Sequence, residues 1–520
     1  MDTHDRTNLA ETLISIQLYG ADRTEIEGVI EKCCSAARVD LSIYRHSADR
    51  TEYIFTCLGF SKRAELSHLE SSSEYSVRDA LFFGVNDYIF HLPGGSTEPS
   101  CLAEALYAIE RELNILARTF STKVLNRIKS LNPLTRIIAG KRKRAEFSLS
   151  GVRLIMREHF LLEKMNLLDA LFELGLDPSS CCLIPKDDKT PYRERIANAM
   201  ISRGAMVVQS LDAAGKKQIE KFLLLEPSKL SVVLDDGAEL IAYCRELEND
   251  TSYSMNGTIY LETTSRGVRS LETKHPNLSY VNLSSCSIKD AMSCGIASSF
   301  VHRFRQILHR EGLYQEPIHV VGFGRIGQEI CVQLHSLGMK VSVSDTNPER
   351  RAIARQAGYE VFTSPSIGLS KIPTRFIIGA SGNPSIGGSE VNLLMKPAVM
   401  ASISSQDLRL AKSYLLESDH QKKDTCFGDM YFRSGELCVV ILGGGHALNL
   451  FGVEGVNEPD FDPFIALIFA AIVESSRHTS YGSWDVQTLC AEIELEQQMM
   501  RPTRYLLLDR WFSVAEGTAP

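Results

Sequence analysis

The stretch from Pro317 to Asp345 constrains the fold most, because its parts follow one another in the order of a βαβ unit. The apolar run Ile318 to Val321 predicts a buried strand, and Gly322, Gly324 and Gly327 follow it at GxGxxG spacing. The first glycine permits a tight turn, the second lets the backbone approach a pyrophosphate, and the third lets helix and strand pack closely. An amphipathic helix and a second strand complete the unit. The pattern predicts a Rossmann domain that binds a dinucleotide.

The residues around this turn also indicate which dinucleotide binds. The helix that starts near Arg325 and Ile326 offers free N–H groups and a positive dipole end to the phosphates. Asp345 ends the second strand, where a carboxylate accepts hydrogen bonds from ribose hydroxyls and repels the 2′-phosphate of NADP. We therefore predict NAD as the cofactor. Arg350 and Arg351 keep NADP open as an alternative.

Composition excludes several other classes of protein. The 520 residues allow two to four domains, and a hydrophobic content of 44% with 23% charged residues is typical of a soluble globular protein. The net charge of −8 argues against a nucleic-acid binder. The N-terminus has no apolar signal segment, and the longest apolar run, Phe464 to Val473, is about half a membrane span. The 13 cysteines show no metal-binding spacing, so we expect a cytoplasmic protein with reduced thiols and no metal.

Residues 1–130 predict a separate N-terminal α/β domain. The segment Asp79 to Pro93 resembles the end of a response-regulator receiver domain, which implies a flavodoxin-like fold. The strand Tyr53 to Leu58 lacks a following phospho-acceptor aspartate, and His91 replaces the receiver lysine, so the domain would be degenerate. An unrelated α/β docking or dimerisation domain is the alternative, and either could bind a protein partner. The basic, polar segment Arg136 to Ser150 is interpreted as a linker.

From about Gly151 onward, apolar strand-like runs alternate with amphipathic helical segments, which predicts a mostly parallel sheet. Asp235, Asp236 and Glu262 come at the ends of predicted strands. Ligands bind at the carboxyl edge of such sheets. These acids are therefore candidates for a binding or catalytic site.

Between residues 150 and 480 the chain resembles the S-adenosylhomocysteine hydrolase family. The motifs that carry this resemblance are spread along the chain in the family's order: G-V-R-L-I-M-R-E-H-F-L-L-E, V-L-D-D-G-A-E-L, L-E-T-T-S-R-G-V-R-S-L, the dinucleotide unit and G-G-H-A-L-N-L. The resemblance implies an α/β fold in which a Rossmann NAD-binding domain, 301–447, is inserted in a second doubly wound α/β substrate domain. That substrate domain comprises residues 150–300 and the returning helices 448–485, and a C-terminal tail covers 486–520.

The resemblance also implies a chemistry. Members of the family use tightly bound NAD to oxidise the 3′-hydroxyl of a nucleoside, eliminate the 5′ substituent, add water and reduce the ketone again. Transferred by motif, the catalytic residues are His159, Asp236 and Lys289, and Glu163 and Glu262 bind the substrate. The residues implied to bind the cofactor, besides the glycine turn and Asp345, are Thr263, Thr264, Asn449, Arg501 and Tyr505. The last two resemble tail residues that close over NAD in a neighbouring protomer, which implies a homo-oligomer.

Several positions depart from the family pattern. Leu161 replaces a threonine of the substrate wall, and Ser405 and Val456 stand where the family has histidines. An ungapped comparison places Ile288 at the catalytic lysine, whereas a small gap restores Lys289. Two functions therefore stay open: an NAD-dependent enzyme acting on a nucleoside-type substrate, and a catalytically inactive regulatory or scaffold protein that binds NAD or a nucleoside.

Overall fold

The structure of the protein is a computed structural model. It describes residues 13–18, 23–46, 50–57, 60–68, 88–93, 100–120, 122–188, 190, 192–225, 229–248, 257–311, 316–425, 427–451, 455, 458–477 and 485–515. The chain divides into two compact units. The first comprises residues 1–121, 191–202 and 425–427, and the second comprises the remainder.

The first unit contains a five-stranded sheet with the strand order β1-β5-β4-β3-β2. Apolar residues of α1 and α2, among them Ile30 and Ile109, form a core with Tyr53 and Phe55 of β3, and all four are buried. The elements are β1 (Leu13–Leu18), α1 (Arg23–Ala37), β2 (Asp40–His46), β3 (Arg50–Cys57), β4 (Phe60–His68), β5 (Tyr88–Pro93) and α2 (Ser100–Leu116).

The strand directions of this unit contradict the predicted flavodoxin-like, receiver-like domain. Every pairing between its described strands is antiparallel, whereas a receiver domain has a parallel sheet. His91 lies on β5 and is paired with Ser15 and Glu65. The predicted strand Tyr53 to Leu58 corresponds to β3, but an apolar pattern does not distinguish a hairpin from a crossover connection, so the predicted parallel topology was wrong.

The second unit begins with a six-stranded sheet in the order β11-β10-β9-β6-β7-β8, and each of these pairings is parallel. Strands β6, β7, β9 and β10 are fully or almost fully buried, as expected where helices cover both faces. The elements are β6 (Val152–Glu158), α5 (Leu162–Glu173), β7 (Cys181–Pro185), β8 (Met206–Val207), α7 (Ala213–Leu225), β9 (Leu230–Asp235), α8 (Glu239–Glu248), β10 (Ile259–Glu262), α9 (Ser265–Lys274), β11 (Val281–Asn282) and α10 (Ser287–Glu311). The helix between β7 and β8, α6 (Arg193–Ser202), belongs to the first unit. Two earlier helices, α3 (Thr122–Leu131) and α4 (Pro133–Arg144), precede them.

The second sheet of this unit has eight strands in the order β14-β13-β12-β15-β16-β19-β18-β17. Its pairings are parallel from β14 to β19, and β18 runs antiparallel to β19. The elements are β12 (Ile318–Val321), α11 (Arg325–Ser336), β13 (Val341–Ser344), α12 (Pro348–Gln356), β14 (Glu360–Phe362), α13 (Pro365–Lys371), β15 (Phe376–Gly379), α14 (Gly388–Leu393), β16 (Ala398–Ser402), α15 (Arg409–Glu417), β17 (Gln421–Thr425), β18 (Gly428–Arg433) and β19 (Glu436–Leu442). The α/β class and the Rossmann-type βαβ unit are confirmed.

The predicted linker from Arg136 to Ser150 is instead largely helical, because α4 has a buried anchor at its first turn. Asp462 of α16 (Glu458–Arg477) accepts hydrogen bonds from the backbone N–H groups of Leu134 and Thr135, at 2.7 and 3.0 Å, and from the Thr135 hydroxyl at 2.6 Å. The basic run at the end of α4 is also paired. Arg142 contacts carboxylates of α16 and of α17 (Val486–Ala515). No helix in the described ranges has the length and apolarity to cross a membrane.

We predict that Asp462→Ala lowers the free energy of unfolding by about 3 kcal/mol, because it leaves two buried N–H groups and a buried hydroxyl without their acceptor. Asp462 is 2% exposed. Asp460→Ala, an exposed position on the same helix, is the matched control. Guanidinium denaturation of the two variants checks the prediction, and equal midpoints would contradict it.

Candidate active site

A cavity of about 440 Å³ lies inside the second unit, where the carboxyl ends of β6, β9 and β10 face the loops after β12, β15 and β16. The first turn of α10 and the segment before α16 complete its wall. Predicted residues that line the cavity are His159, Asp236, Thr263, Thr264, Lys289, Gly324, Arg325, Ile326 and Asn449. Leu161 and Ser405, two of the positions that depart from the family pattern, also line the cavity.

His159 lies at the centre of a row of charged side chains at this sheet edge. Its Nδ1 is 2.5 Å from Asp188 Oδ2, and its Nε2 is 3.6 Å from Asp236 Oδ2. The Lys186 ammonium donates to Asp236 Oδ1 at 2.5 Å. Thr190 donates its N–H and hydroxyl to Asp188 Oδ1. Sequence reasoning missed Lys186 and Asp188, since neither falls in a motif that the family comparison singled out.

The electrostatics of this row keep both aspartates ionised. Burial alone would raise the pKa of Asp236, but the Lys186 ammonium, His159 and Lys289 outweigh burial and hold that pKa well below its usual range. Burial likewise opposes ionisation of Asp188, and its hydrogen bonds from His159 and Thr190 lower its pKa on balance. A row with two fixed anions, one ammonium and one imidazole can hold and pass a proton at the imidazole.

Lys289 lies in the first turn of α10 and reaches the cavity. Its ammonium is 3.9 Å from the centroid of the Phe464 ring, and in the described part of the chain no carboxylate lies within ion-pair distance of it. Burial lowers its pKa to about 8, although Asp236 and Glu158 act in the opposite direction. Ile288 is buried away from the cavity, so the structure places Lys289 there rather than its neighbour.

Two predicted substrate-binding acids do not line the cavity. Glu163 is buried in the first turn of α5. Glu262 lies behind Thr264, and its Oε1 accepts hydrogen bonds from the N–H groups of Gly237 and Thr264 and from the Thr264 hydroxyl, at 3.0, 2.8 and 2.6 Å. Burial, followed by the charge of Asp235, raises the pKa of Glu262 to about 8. At pH 7 Glu262 is therefore neutral, and its hydrogen bonds hold the end of β10 to the turn at Gly237.

The neighbouring residues Asp235 and Asp236 have different surroundings. Asp235 is fully buried and accepts the N–H groups of Leu240 and Ile241 at the start of α8. Burial raises its pKa to about 6. Asp236, one residue later, faces the cavity.

The glycine turn has the geometry that a dinucleotide needs. Gly322 has φ +101°, and a Cβ there would lie 2.7 Å from the Ala380 backbone. A Cβ on Gly327 would lie 2.2 Å from the Gly322 carbonyl oxygen. A Cβ on Gly324 would meet nothing nearer than the Arg350 guanidinium at 3.7 Å. The space beside Gly324 is therefore open on the cavity side, as close approach of a phosphate requires.

Two polar side chains near this turn bear on the cofactor. Asp345 Oδ2 accepts the Phe323 N–H at 2.7 Å, and Oδ1 accepts the Asn347 N–H at 2.8 Å, so the carboxylate is fixed against the turn. Arg350 approaches it to 3.8 Å and lines the cavity. Asn449 is 6% exposed, and its buried Oδ1 has no hydrogen-bond partner among the described residues. An amide-bearing ligand such as nicotinamide would satisfy it.

Asp407 organises the loops on the Rossmann side of the cavity, although nothing in the sequence singled it out. It is fully buried. Its carboxylate accepts hydrogen bonds from Ser381 N–H and Oγ, Gly382 N–H, Ser385 Oγ, Ser402 Oγ and Ser404 Oγ. These donors belong to the segments that follow β15 and β16, and Ser381, Gly382 and Ser404 line the cavity.

The remaining predicted residues cannot be placed in the site. Arg501 and Tyr505 fall on α17, but their side chains lie outside the described residues, and so does Val456. Their predicted roles stay predictions.

Comparison with known proteins gives distant relatives. No family model matches the chain. It is 26% identical over 365 residues to an uncharacterized protein of Mycobacterium tuberculosis, over 65% of this chain and 66% of that protein, so it spans just under two thirds of that relative's length. It is 25% identical over 381 residues to an adenosylhomocysteinase of Sulfolobus acidocaldarius, over 69% of this chain and 86% of that protein.

Solved structures match at lower identity. A dipicolinate synthase chain from Bacillus halodurans aligns at 12% identity and a TM-score of 0.33, over 63% of this chain and 99% of that one. A 2-hydroxyacid dehydrogenase from Ketogulonicigenium vulgare aligns at 10% identity and a TM-score of 0.35, over 63% of this chain and 95% of that one. The similarity to an adenosylhomocysteinase agrees with the resemblance in the sequence motifs, whereas no comparison supports a receiver domain.

We predict that Glu262→Gln changes how stability depends on pH. The raised pKa of Glu262 means that the folded protein binds a proton more tightly than the unfolded chain, so this contribution is fully present below about pH 4.5 and is lost as pH rises through about 8. As the pH rises from 5 to 9, the Tm of the wild type should therefore fall relative to the Tm of Glu262→Gln.

The matched control is Glu272→Gln, an exposed glutamate of α9. Thermal unfolding across this pH range gives the difference in Tm between each variant and the wild type. If the difference in Tm between Glu262→Gln and the wild type depends on pH no more than that of the control, the prediction is wrong.

Proposed function

We propose that the protein binds NAD and uses it to oxidise a hydroxyl group of a nucleoside-type substrate transiently, in the manner of an adenosylhomocysteinase. The observation that carries the proposal is the position of Lys289, a cavity amine with a lowered pKa and no carboxylate partner in the described chain, in the same cavity as the glycine turn. The 25% identity to an adenosylhomocysteinase supports it.

The residues present fit the cofactor. Gly324, Arg325 and Ile326 would hold the pyrophosphate at the start of α11, and Arg350, which lines the cavity, with Asp345 fixed beside it against the glycine turn, would lie at the ribose next to the adenine. The orphan amide oxygen of Asn449 would receive the carboxamide. When bound, NAD supplies a two-electron oxidant for an alcohol. Because Asp345 would repel a 2′-phosphate, we propose NAD rather than NADP.

The side chains supply the proton transfers. Lys289 Nζ would take the hydroxyl proton, since an amine with a pKa of about 8 is partly neutral near pH 7. His159 Nε2 would give or take the proton at the leaving-group end. Asp236, held ionised by Lys186, would stabilise a proton on that nitrogen rather than carry one itself.

We predict that Gly324→Ala and Gly327→Ala separate cofactor binding from folding. The Cβ of Gly324→Ala enters open space on the cavity side, so this variant should keep the Tm of the wild type without ligand and lose NAD affinity by about tenfold or more. The Cβ of Gly327→Ala meets a backbone oxygen, so this variant should lose Tm. Calorimetric titration with NAD and thermal unfolding give the two readouts. Wild-type NAD affinity in Gly324→Ala would refute the placement of the pyrophosphate.

We predict that Lys289→Ala lowers turnover ~10²–10⁴-fold while NAD still binds, because the general base is removed. In the wild type, the rate should rise with pH and level off above about 8, as Lys289 loses its proton. The assay follows NADH absorbance after adenosine, S-adenosylhomocysteine and related nucleosides are added. Lys274→Ala, an exposed lysine of α9, is the control. NAD binding without NADH formation from any nucleoside would defeat the proposed reaction and favour the inactive, regulatory alternative.

A further inference from the structure

We propose that Asp188 is a positioning residue for His159, and that Lys186 is its counterpart for Asp236, so that the four side chains act as one proton-transfer unit. The inference rests on the proposed function for its chemical purpose. Its geometry stands independently of the substrate.

The hydrogen on the His159 ring is assigned by its partner. Asp188 is ionised and can only accept a hydrogen bond, so the short contact of 2.5 Å places a hydrogen on Nδ1. Asp188 is itself fixed, because it is 8% exposed and its other oxygen accepts the N–H and hydroxyl of Thr190 at 3.2 and 2.8 Å. Nε2 is then the nitrogen that can exchange a proton without disturbing this bond.

Nε2 faces Asp236 at 3.6 Å, and both residues line the cavity. While Asp236 carries its charge, it stabilises a proton on Nε2 directly. Lys186 secures that charge with a direct hydrogen bond at 2.5 Å. Lys186 comes directly after β7, and Asp236 directly after β9, so the parallel sheet places the two side chains at the same edge.

Other charged groups act on this unit from neighbouring elements. Lys289 of α10 favours ionisation of Asp236. The buried Asp235 at the end of β9 is repelled by Asp236 and attracted by Arg157 and Lys186. Glu262 at the end of β10 interacts with both aspartates. Of these groups, Lys186 acts most strongly on Asp236, and among the described residues it is the one that donates a hydrogen bond to the Asp236 carboxylate, whereas Arg157 donates to the Asp236 backbone oxygen. Replacing Lys186 should therefore move the titration of Asp236 more than any of the others.

The test uses the 520-residue chain labelled with ¹⁵N in its histidine rings, with the His159 signals assigned by their loss in His159→Gln. In the wild type we expect hydrogen on Nδ1. In Asp188→Ala this preference should disappear, and in Asp188→Asn the amide can donate to Nδ1, which should move the hydrogen to Nε2. Thr190→Ala removes a bond to Asp188 but leaves the contact with His159, so it should keep the wild-type tautomer.

The activity arm distinguishes a positioning role from a general loss of structure. Asp188→Asn should lower kcat roughly 10²-fold with little change in KM, while NADH still forms at the first oxidation. Lys186→Met should make the acid limb of the pH–rate profile steeper, because Asp236 loses its cationic partner and its protonation adds to the loss of rate that Lys289 causes below about pH 8. Asp188→Asn has the shape of the native side chain and serves if Asp188→Ala does not fold.

The outcomes separate the two proposals. A wild-type tautomer in both Asp188 variants would overturn the positioning role, whatever the activity shows, and so would the same loss of tautomer preference in Thr190→Ala. An acid limb in Lys186→Met that keeps the wild-type slope would overturn the role of Lys186. Absence of NADH formation by the wild type would defeat the proposed function, while the ring-nitrogen spectra would still decide the positioning of His159.

Discussion

The burial of three carboxylates at one sheet edge is the constraint on which the site depends. Glu158, Asp235 and Glu262 end the neighbouring strands β6, β9 and β10, and all three are at most 4% exposed. Buried like charges are expensive unless they are neutralised or hydrogen-bonded. The burial of each acid is compensated in a different way. Lys164 lies 3.3 Å from Glu158, backbone N–H groups cap Asp235, and Glu262 keeps its proton at neutral pH.

The residues that directly follow these buried acids in the chain face the cavity. Asp236 and His159 each follow a buried acid by one residue, so the strand ends hold their backbone rigidly. The cavity therefore receives its polar groups from a stiff edge, and Lys289 approaches from the first turn of a helix. The cations of the cavity wall itself, Lys186 first among them, keep Asp236 ionised in front of these buried acids.

The sequence predicted the elements whose signals are local. The GxGxxG turn, its flanking strands and Asp345 form a continuous pattern, and the structure has both strands and the helix where this pattern predicts them. The predicted site residues at strand ends, His159 and Asp236, also line the cavity. Lys186, Asp188 and Asp407 were missed because their roles depend on partners from distant segments, such as the contact between Lys186 and Asp236. The linker interpretation failed for the same reason, since the acceptor for α4 is more than 300 residues away. The antiparallel first unit shows that alternation alone does not give strand direction.

Asp407 limits how the wall of the cavity on the Rossmann side can move. Because Ser381, Ser385, Ser402 and Ser404 all donate to one buried carboxylate, the segments after β15 and β16 are bound into a single body. Displacing one segment would strip a buried anion of its donors, at a cost of several hydrogen bonds at once. Adaptation to different ligands on this side is thus confined to side-chain rotations, and larger rearrangement has to involve the opposite wall.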